Sequence, residues 1–281
     1  MRLKSSAVVL VMILSFGCSA VDRPGRDAEA YARRARIYLQ NYDYEQAIAY
    51  YDKAVELTGG AWMYVLGRAG AYLAADRYDA ALADYTSVVE RYPNRADFYH
   101  IRALAYRKKG EYDKAIADCT KAIELEPKNA TAYNRRGVMY ADKGDDDLAM
   151  ADYDRALDLE RGYAAPYTNR GIIYWKRGQQ EPAFWNYNRA IQLDSKNPEN
   201  YYNRGIAYSD IKEYDRGISD FTKTLEILPK GTLAYVRRAH LYFAKTEYDK
   251  AWSDVDKAQQ LGVKFDETFL ADLRKASGRD K

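Results

Sequence analysis

Apolar residues recur along most of this chain at three- and four-residue steps, and the pattern itself repeats. Between Ala96 and Asn129, Tyr99, Ala103 and Tyr106 share one face of a 3.6-residue helix, which Gly110 interrupts. A second amphipathic run follows, with Tyr112, Ala115, Ile116, Cys119, Ala122 and Ile123 as its apolar stripe, and Pro127 closes it. The pattern predicts two helices joined by a tight turn. One such hairpin cannot bury its own apolar faces, and stacked copies are the remedy. At a period of 34 residues the chain gives seven copies without an insertion, beginning at Ala28, Trp62, Ala96, Ala130, Ala164, Pro198 and Thr232.

Numbering the places within each copy from 1 to 34 sharpens the pattern. Place 11 is Tyr38, Tyr72, Tyr106, Tyr140, Tyr174, Tyr208 and Tyr242. Place 4 is Tyr31, Tyr99, Tyr133, Tyr167, Tyr201 and Tyr235, with Val65 in the second copy. Place 20 is Ala47, Ala81, Ala115, Ala149, Ala183 and Ala251, with Gly217 once; small residues there let the paired helices approach closely. Glycine fills place 8 as Gly137, Gly171 and Gly205, and place 15 as Gly110, Gly144 and Gly178, while Pro93, Pro127 and Pro229 stand at place 32.

These residues resemble the tetratricopeptide repeat family over Ala28 to about Phe265. The resemblance implies an all-α, right-handed superhelical solenoid of seven 34-residue helix-turn-helix repeats, spanning 28–265. Its concave face would be lined mainly by the first helix of each pair. The family is an interaction scaffold, so the implied partner is a peptide or helix of another protein, and no activity is implied. Residues 266–281 are expected to form a capping helix and tail, with Phe265, Phe269, Leu270 and Leu273 as the apolar stripe.

Place 7 departs from the family pattern, which has leucine there. It is Arg34, Arg68, Arg102, Arg136, Arg170, Arg204 and Arg238. Place 23 holds Asp84, Asp118, Asp152, Asp220 and Asp254, with Tyr50 and Asn186 in the other two copies. The two places lie level across the hairpin, so a bidentate pair within each repeat is open to them. The alternative is an arginine-lined groove for an acidic ligand.

By the resemblance, places 2, 5, 6, 9, 12 and 13 face the groove. In the C-terminal half these include Asn169, Ile172, Trp175, Tyr202, Asn203, Ile206, Arg237, His240 and Phe243, apolar contacts and amides that suit a peptide. Trp175 at place 12, with Tyr202, Ile206 and Phe243, would form one apolar strip if its indole faces solvent; the competing reading packs it between repeats. The N-terminal half is more basic, with Arg33, Arg36, Arg107 and Lys108 beside Met63, Leu66 and Leu73. The family's clamp for acidic chaperone tails is matched only by Asn203 and Arg237, since Thr168, Ile172 and Leu233 replace its other members.

The first 17 residues are of another kind. Arg2 and Lys4 precede an apolar run from Ala7 to Phe16, too short to span a bilayer, and Gly17-Cys18-Ser19 follows. The arrangement resembles a bacterial lipoprotein signal (residues 1–17) with Cys18 as the acylated N-terminus, although Leu14 stands four rather than three places before the cysteine. Cleavage after Ala20 is the alternative and would give a soluble exported chain. Residues 18–27 read as a polar linker. Ser19 in place of an aspartate favours, by resemblance, the outer membrane facing the periplasm.

Composition changes the picture little. Charged residues make up 30% and nearly balance at a net +3, which gives no electrostatic case for nucleic acid. His100 and His240 lie four repeats apart, Asp145 to Asp147 lack the spacing of a calcium loop, and no phosphate loop or nucleophile–base pair is present. The sequence therefore points to a non-enzymatic scaffold with no cofactor, metal or small-molecule substrate.

Overall fold

A computed structural model describes residues 23–279. The described residues form α1 (Arg23–Gln40), α2 (Tyr44–Leu57), α3 (Trp62–Ala74), α4 (Tyr78–Arg91), α5 (Ala96–Lys109), α6 (Tyr112–Leu125), α7 (Ala130–Lys143) and α8 (Asp146–Leu159). The helices continue with α9 (Ala164–Lys176), α10 (Gln180–Leu193), α11 (Pro198–Asp210), α12 (Tyr214–Ile227), α13 (Thr232–Ala244), α14 (Tyr248–Gln260) and α15 (Glu267–Ser277). The leader, Cys18 and the first part of the expected linker lie outside the described residues. Its last part, Arg23 to Asp27, is corrected: it opens α1, because a proline in a first helical turn gives up no ladder bond.

The chain packs as two compact units, one ending at Arg155 within α8 and the other starting at Ala156. In the first, α1–α2, α3–α4 and α5–α6 pack as pairs, with α2 on α3, α4 on α5 and α6 on α7. In the second, α9–α10, α11–α12 and α13–α14 pair in the same way, with α10 on α11, α12 on α13 and α15 on α14. This consecutive pairing is the packing of a tandem helical-repeat solenoid.

Sequence explains the pairing. The place-20 alanines Ala47, Ala81, Ala115, Ala149, Ala183 and Ala251 are fully buried, as close helix approach requires. Beside them lie the place-24 side chains Tyr51, Tyr85, Cys119, Tyr153, Tyr187 and Phe221. The glycines of place 8 make room for these rings: a Cβ on Gly171 would sit 2.6 Å from Tyr187 Cε1, and one on Gly137 the same distance from Tyr153.

Place 15 carries the hairpin turn, and it is left-handed throughout. Gly110 (φ 85°) and Gly144 (φ 102°) adopt that conformation easily. Tyr42, Asp76, Lys212 and Thr246 occupy the same place at φ between 57° and 64°, so the turn geometry overrides residue preference in four repeats. Between repeats, the place-4 phenol closes the connection: Tyr99, Tyr133 and Tyr235 donate to the carbonyls of Pro93, Pro127 and Pro229 at 3.0, 3.2 and 3.3 Å. Asn129 and Asn197 cap α7 and α11 through their side-chain oxygens.

Candidate functional site

Places 4, 7 and 11 follow i, i+3, i+7 spacing and so share one helical face. The place-7 guanidinium consequently sits between two tyrosine rings: Arg102 lies 5.8 Å from both the Tyr99 and Tyr106 centroids, and Arg238 5.8 Å from both Tyr235 and Tyr242. From there it reaches the second helix of its own repeat. Arg102 Nε and Nη2 donate to Asp118 Oδ2 and Oδ1 at 2.8 and 2.7 Å, a bidentate pair. Arg68–Asp84, Arg136–Asp152, Arg204–Asp220 and Arg238–Asp254 repeat it.

The third nitrogen reaches one repeat back. Nη1 of Arg102, Arg136 and Arg238 donates to the hydroxyls of Thr86, Thr120 and Thr222, while that of Arg68 goes to Asp52 and that of Arg204 to Asn188. All five acceptors are place-25 residues. Each such arginine therefore ties three helices together. In the first repeat, where place 23 is Tyr50, Arg34 lies 5.9 Å from that ring instead. In the fifth, Asn186 turns its amide onto the Pro182 carbonyl. The geometry selects the internal-pair reading of the arginines over the ligand-groove reading.

The expected groove residues stand on α9, α11 and α13 in differing surroundings. Ile172 is 43% exposed on α9, and Arg237 is exposed on α13. Asn169 and Asn203 are half-buried, and Asn203 Nδ2 donates to the Glu199 carbonyl one turn back at 2.9 Å. Tyr202 is corrected: it is 8% exposed, with its ring 5.6 Å from Phe221, because place 5 of α11 faces the second helix of the same repeat. Ile206 is half-buried against that cluster. Trp175 is half-buried rather than free: its Nε1 donates to Asp210 Oδ2 at 3.0 Å and its ring meets Phe184 edge-on at 5.6 Å. Place 12 thus reaches place 13 of the next repeat, and Arg107 pairs with Asp142 in the same relation.

His240 and Phe243 are met by the terminal helix. The His240 ring stacks on Phe269 of α15 at 4.0 Å, and Phe243 lies 5.6 Å from the same ring. The continuous apolar strip expected from Trp175 to Phe243 is therefore corrected to separate packed contacts. In the N-terminal half, Arg33 and Arg36 both meet Glu29, which offsets one of their two charges. Asp210 was missed by sequence reasoning, though aspartate at place 13 in both Asp142 and Asp210 was the available signal; Phe269 was expected on the capping helix, but its contact with His240 was not.

Two buried groups with reactive chemistry are held uncharged near neutrality. His100 is 7% exposed on α5; burial, with the Arg135 cation acting in the same direction and Asp97 against it, pushes its pKa down to about 4. Burial pushes the Cys119 thiol up to about 12, so it is not a thiolate near neutrality. Among the described residues, no three His, Cys, Asp or Glu side chains converge as a metal site.

Paired helices at a fixed period, locked by a repeated side-chain pattern, define a tandem helical-repeat protein. The chain belongs to the tetratricopeptide repeat family. Models described as Tetratricopeptide repeat match residues 28–61, 65–95 and 198–230, and one described as TPR repeat matches 103–144, 137–178 and 173–211. The chain is similar to a tetratricopeptide repeat protein from Parabacteroides merdae ATCC 43184 (19% identity, 91% of this chain and 100% of that one, TM-score 0.64). It is also similar to a chain of the APC/C hetero-tetramer Cut9–Hcn1 (16% identity, 88% and 49%, TM-score 0.64). A third similar structure is Pseudomonas aeruginosa pilF (17% identity, 76% and 97%, TM-score 0.55). At these identities the likeness shows the fold. A comparison with curated proteins finds no match.

Proposed function

We propose that the chain is a non-enzymatic scaffold that binds a peptide or helix of a partner protein across the exposed first-helix surface of its repeats. The observation that carries this reading is the division of labour among side chains. The arginines that could have made a ligand site are consumed within and between repeats, whereas Ile172 and Arg237 remain open. An exposed isoleucine offers apolar contact area, and an exposed arginine offers donors to a peptide carbonyl.

The same proposal places the scaffold on a bacterial envelope, anchored through an acylated Cys18 and facing the periplasm from the outer membrane. Its support is the sequence: Arg2 and Lys4, the run from Ala7 to Phe16, and Gly17 before the cysteine. Among the described residues no helix is long and apolar enough to cross a membrane. Mass spectrometry of the mature N-terminus tests the anchor. An acylated Cys18 is expected, and an unmodified chain beginning at Val21 would instead establish the soluble exported form. Capture from detergent-solubilised envelopes, comparing wild type with Ile172→Asp, tests the scaffold: specific proteins should be retained by the first and lost by the second.

A further inference from the structure

The second repeat departs from its neighbours at two places that touch one another. Place 4 is Val65 instead of tyrosine, and place 26 is Ser87, where the other copies carry Lys53, Lys121, Arg155, Arg189, Lys223 and Lys257. Elsewhere these two side chains meet: Lys53 Nζ lies 5.4 Å from the Tyr31 ring centroid, and the Arg155 guanidinium 6.0 Å from that of Tyr133. With both reduced, a cavity of about 360 Å³ opens in the first unit. That volume falls at the lower end of ligand pockets, roughly 300–1,000 Å³.

The fifth repeat shows what normally fills this niche. There the Tyr167 ring packs on Leu157, Ala190 and Leu193, at place 28 of the preceding copy and places 27 and 30 of its own. The residues at those same three places around the cavity are Val55, Val88 and Arg91. Arg68, bidentate to Asp84, forms its floor, and it is the counterpart of the guanidiniums that lie 5.8 Å from a place-4 ring in other repeats. Trp62 adds an aromatic wall at place 1, where the other copies have alanine, proline or threonine. Ser87 and Arg91 at the rim are exposed.

We propose that this cavity is a binding site for a tyrosine side chain presented by a partner segment. The phenol ring takes the niche that place-4 tyrosines fill from within the chain, against Arg68. Its hydroxyl points to the turn between α2 and α3, where Gly60 lines the cavity, the end at which Tyr99, Tyr133 and Tyr235 bond the Pro93, Pro127 and Pro229 carbonyls in other repeats. The site is built within the first unit and uses none of the groove residues. It depends on the scaffold reading only for the source of the ring.

The test is a titration of the full chain with N-acetyl-tyrosinamide, followed through the methyl NMR signals of Val65 and Val88. Saturable shifts at both are expected, with N-acetyl-phenylalaninamide binding at least about threefold more weakly for want of the hydroxyl. Val65→Tyr should reduce the affinity at least about tenfold; Ser87→Lys, which restores the ordinary place-26 cation at the rim, should weaken it too and serves if the first variant does not fold. Methyl signals that do not saturate, binding undiminished in a folded variant, or equal affinity for the two amides would each overturn the assignment. Because the probe is a free amino-acid amide, failure here leaves the scaffold reading untouched, and loss of partner capture leaves the pocket untouched.

Discussion

In an Arg102→Ala variant the Asp118 carboxylate, 7% exposed, loses the two guanidinium donors that now lie at 2.7 and 2.8 Å. Thr86 of the preceding repeat loses its donor, and the Tyr99 and Tyr106 rings lose the cation between them. Removing one member of a buried pair costs about 3–5 kcal/mol, most of it the penalty of leaving the other charge without compensation. The arginine side chain keeps 15% of its exposure, so water reaches the vacated space in part and the loss should fall near the lower bound, about 3 kcal/mol. A change of both partners to leucine removes the stranded charge and should recover much of that loss. Urea unfolding followed by far-UV circular dichroism on the wild type, the single variant and the double variant measures all three. A single variant within about 0.5 kcal/mol of wild type, the range of ordinary surface substitutions, would show that the ladder does not hold the repeats together.

Acid should weaken the fold through His100: its folded pKa lies near 4 against an ordinary 6.5, so between those values the unfolded chain binds a proton that the folded chain refuses. Stability should therefore fall as pH drops through that window, by up to about 3 kcal/mol from this group, and urea titrations at pH 7 and 4.5 should show a smaller drop in His100→Leu. Two glycine substitutions should act in opposite directions. Gly171→Ala should lower the melting temperature, because a Cβ 2.6 Å from the Tyr187 ring overpacks by about 1–3 kcal/mol, whereas Gly70→Ala, with open space around it in α3, should gain about 1 kcal/mol of helix propensity. Thr246→Gly should stabilise by about 1 kcal/mol, since a β-branched residue at φ 60° gives way to one that adopts this conformation freely; an unchanged midpoint in urea would contradict the account of the hairpin turn.

The repeat and its interior were legible because they depend on spacing within one hairpin. Arginine at place 7 and aspartate at place 23 are level across a turn, and that relation follows from the helix period alone. Relations between hairpins were not legible in the same way. Trp175 reads as a groove residue on its own helix, yet the offset between successive first helices brings it to Asp210, and Arg107 to Asp142. Tyr202 was misplaced for a similar reason: place 5 of α11 faces α12, so the ring joins Phe221 instead of opening to solvent. The terminal helix was anticipated, but not that Phe269 would stack on His240. Left-handed turns at Tyr42 and Thr246 carry no sequence signature, since the repeat geometry imposes them.

The central claim is that arginines hold the repeats together while the exposed first-helix surface recognises the partner. A partner segment captured from envelopes and titrated calorimetrically against three folded forms tests that division most directly: wild type, Ile172→Asp, and Arg102→Leu with Asp118→Leu. The account predicts at least about tenfold weaker binding for the surface variant, as for an apolar contact of 1.4 kcal/mol or more, and wild-type affinity for the ladder variant. Unchanged binding by Ile172→Asp together with lost binding by the folded ladder variant would place recognition on the arginines and contradict it.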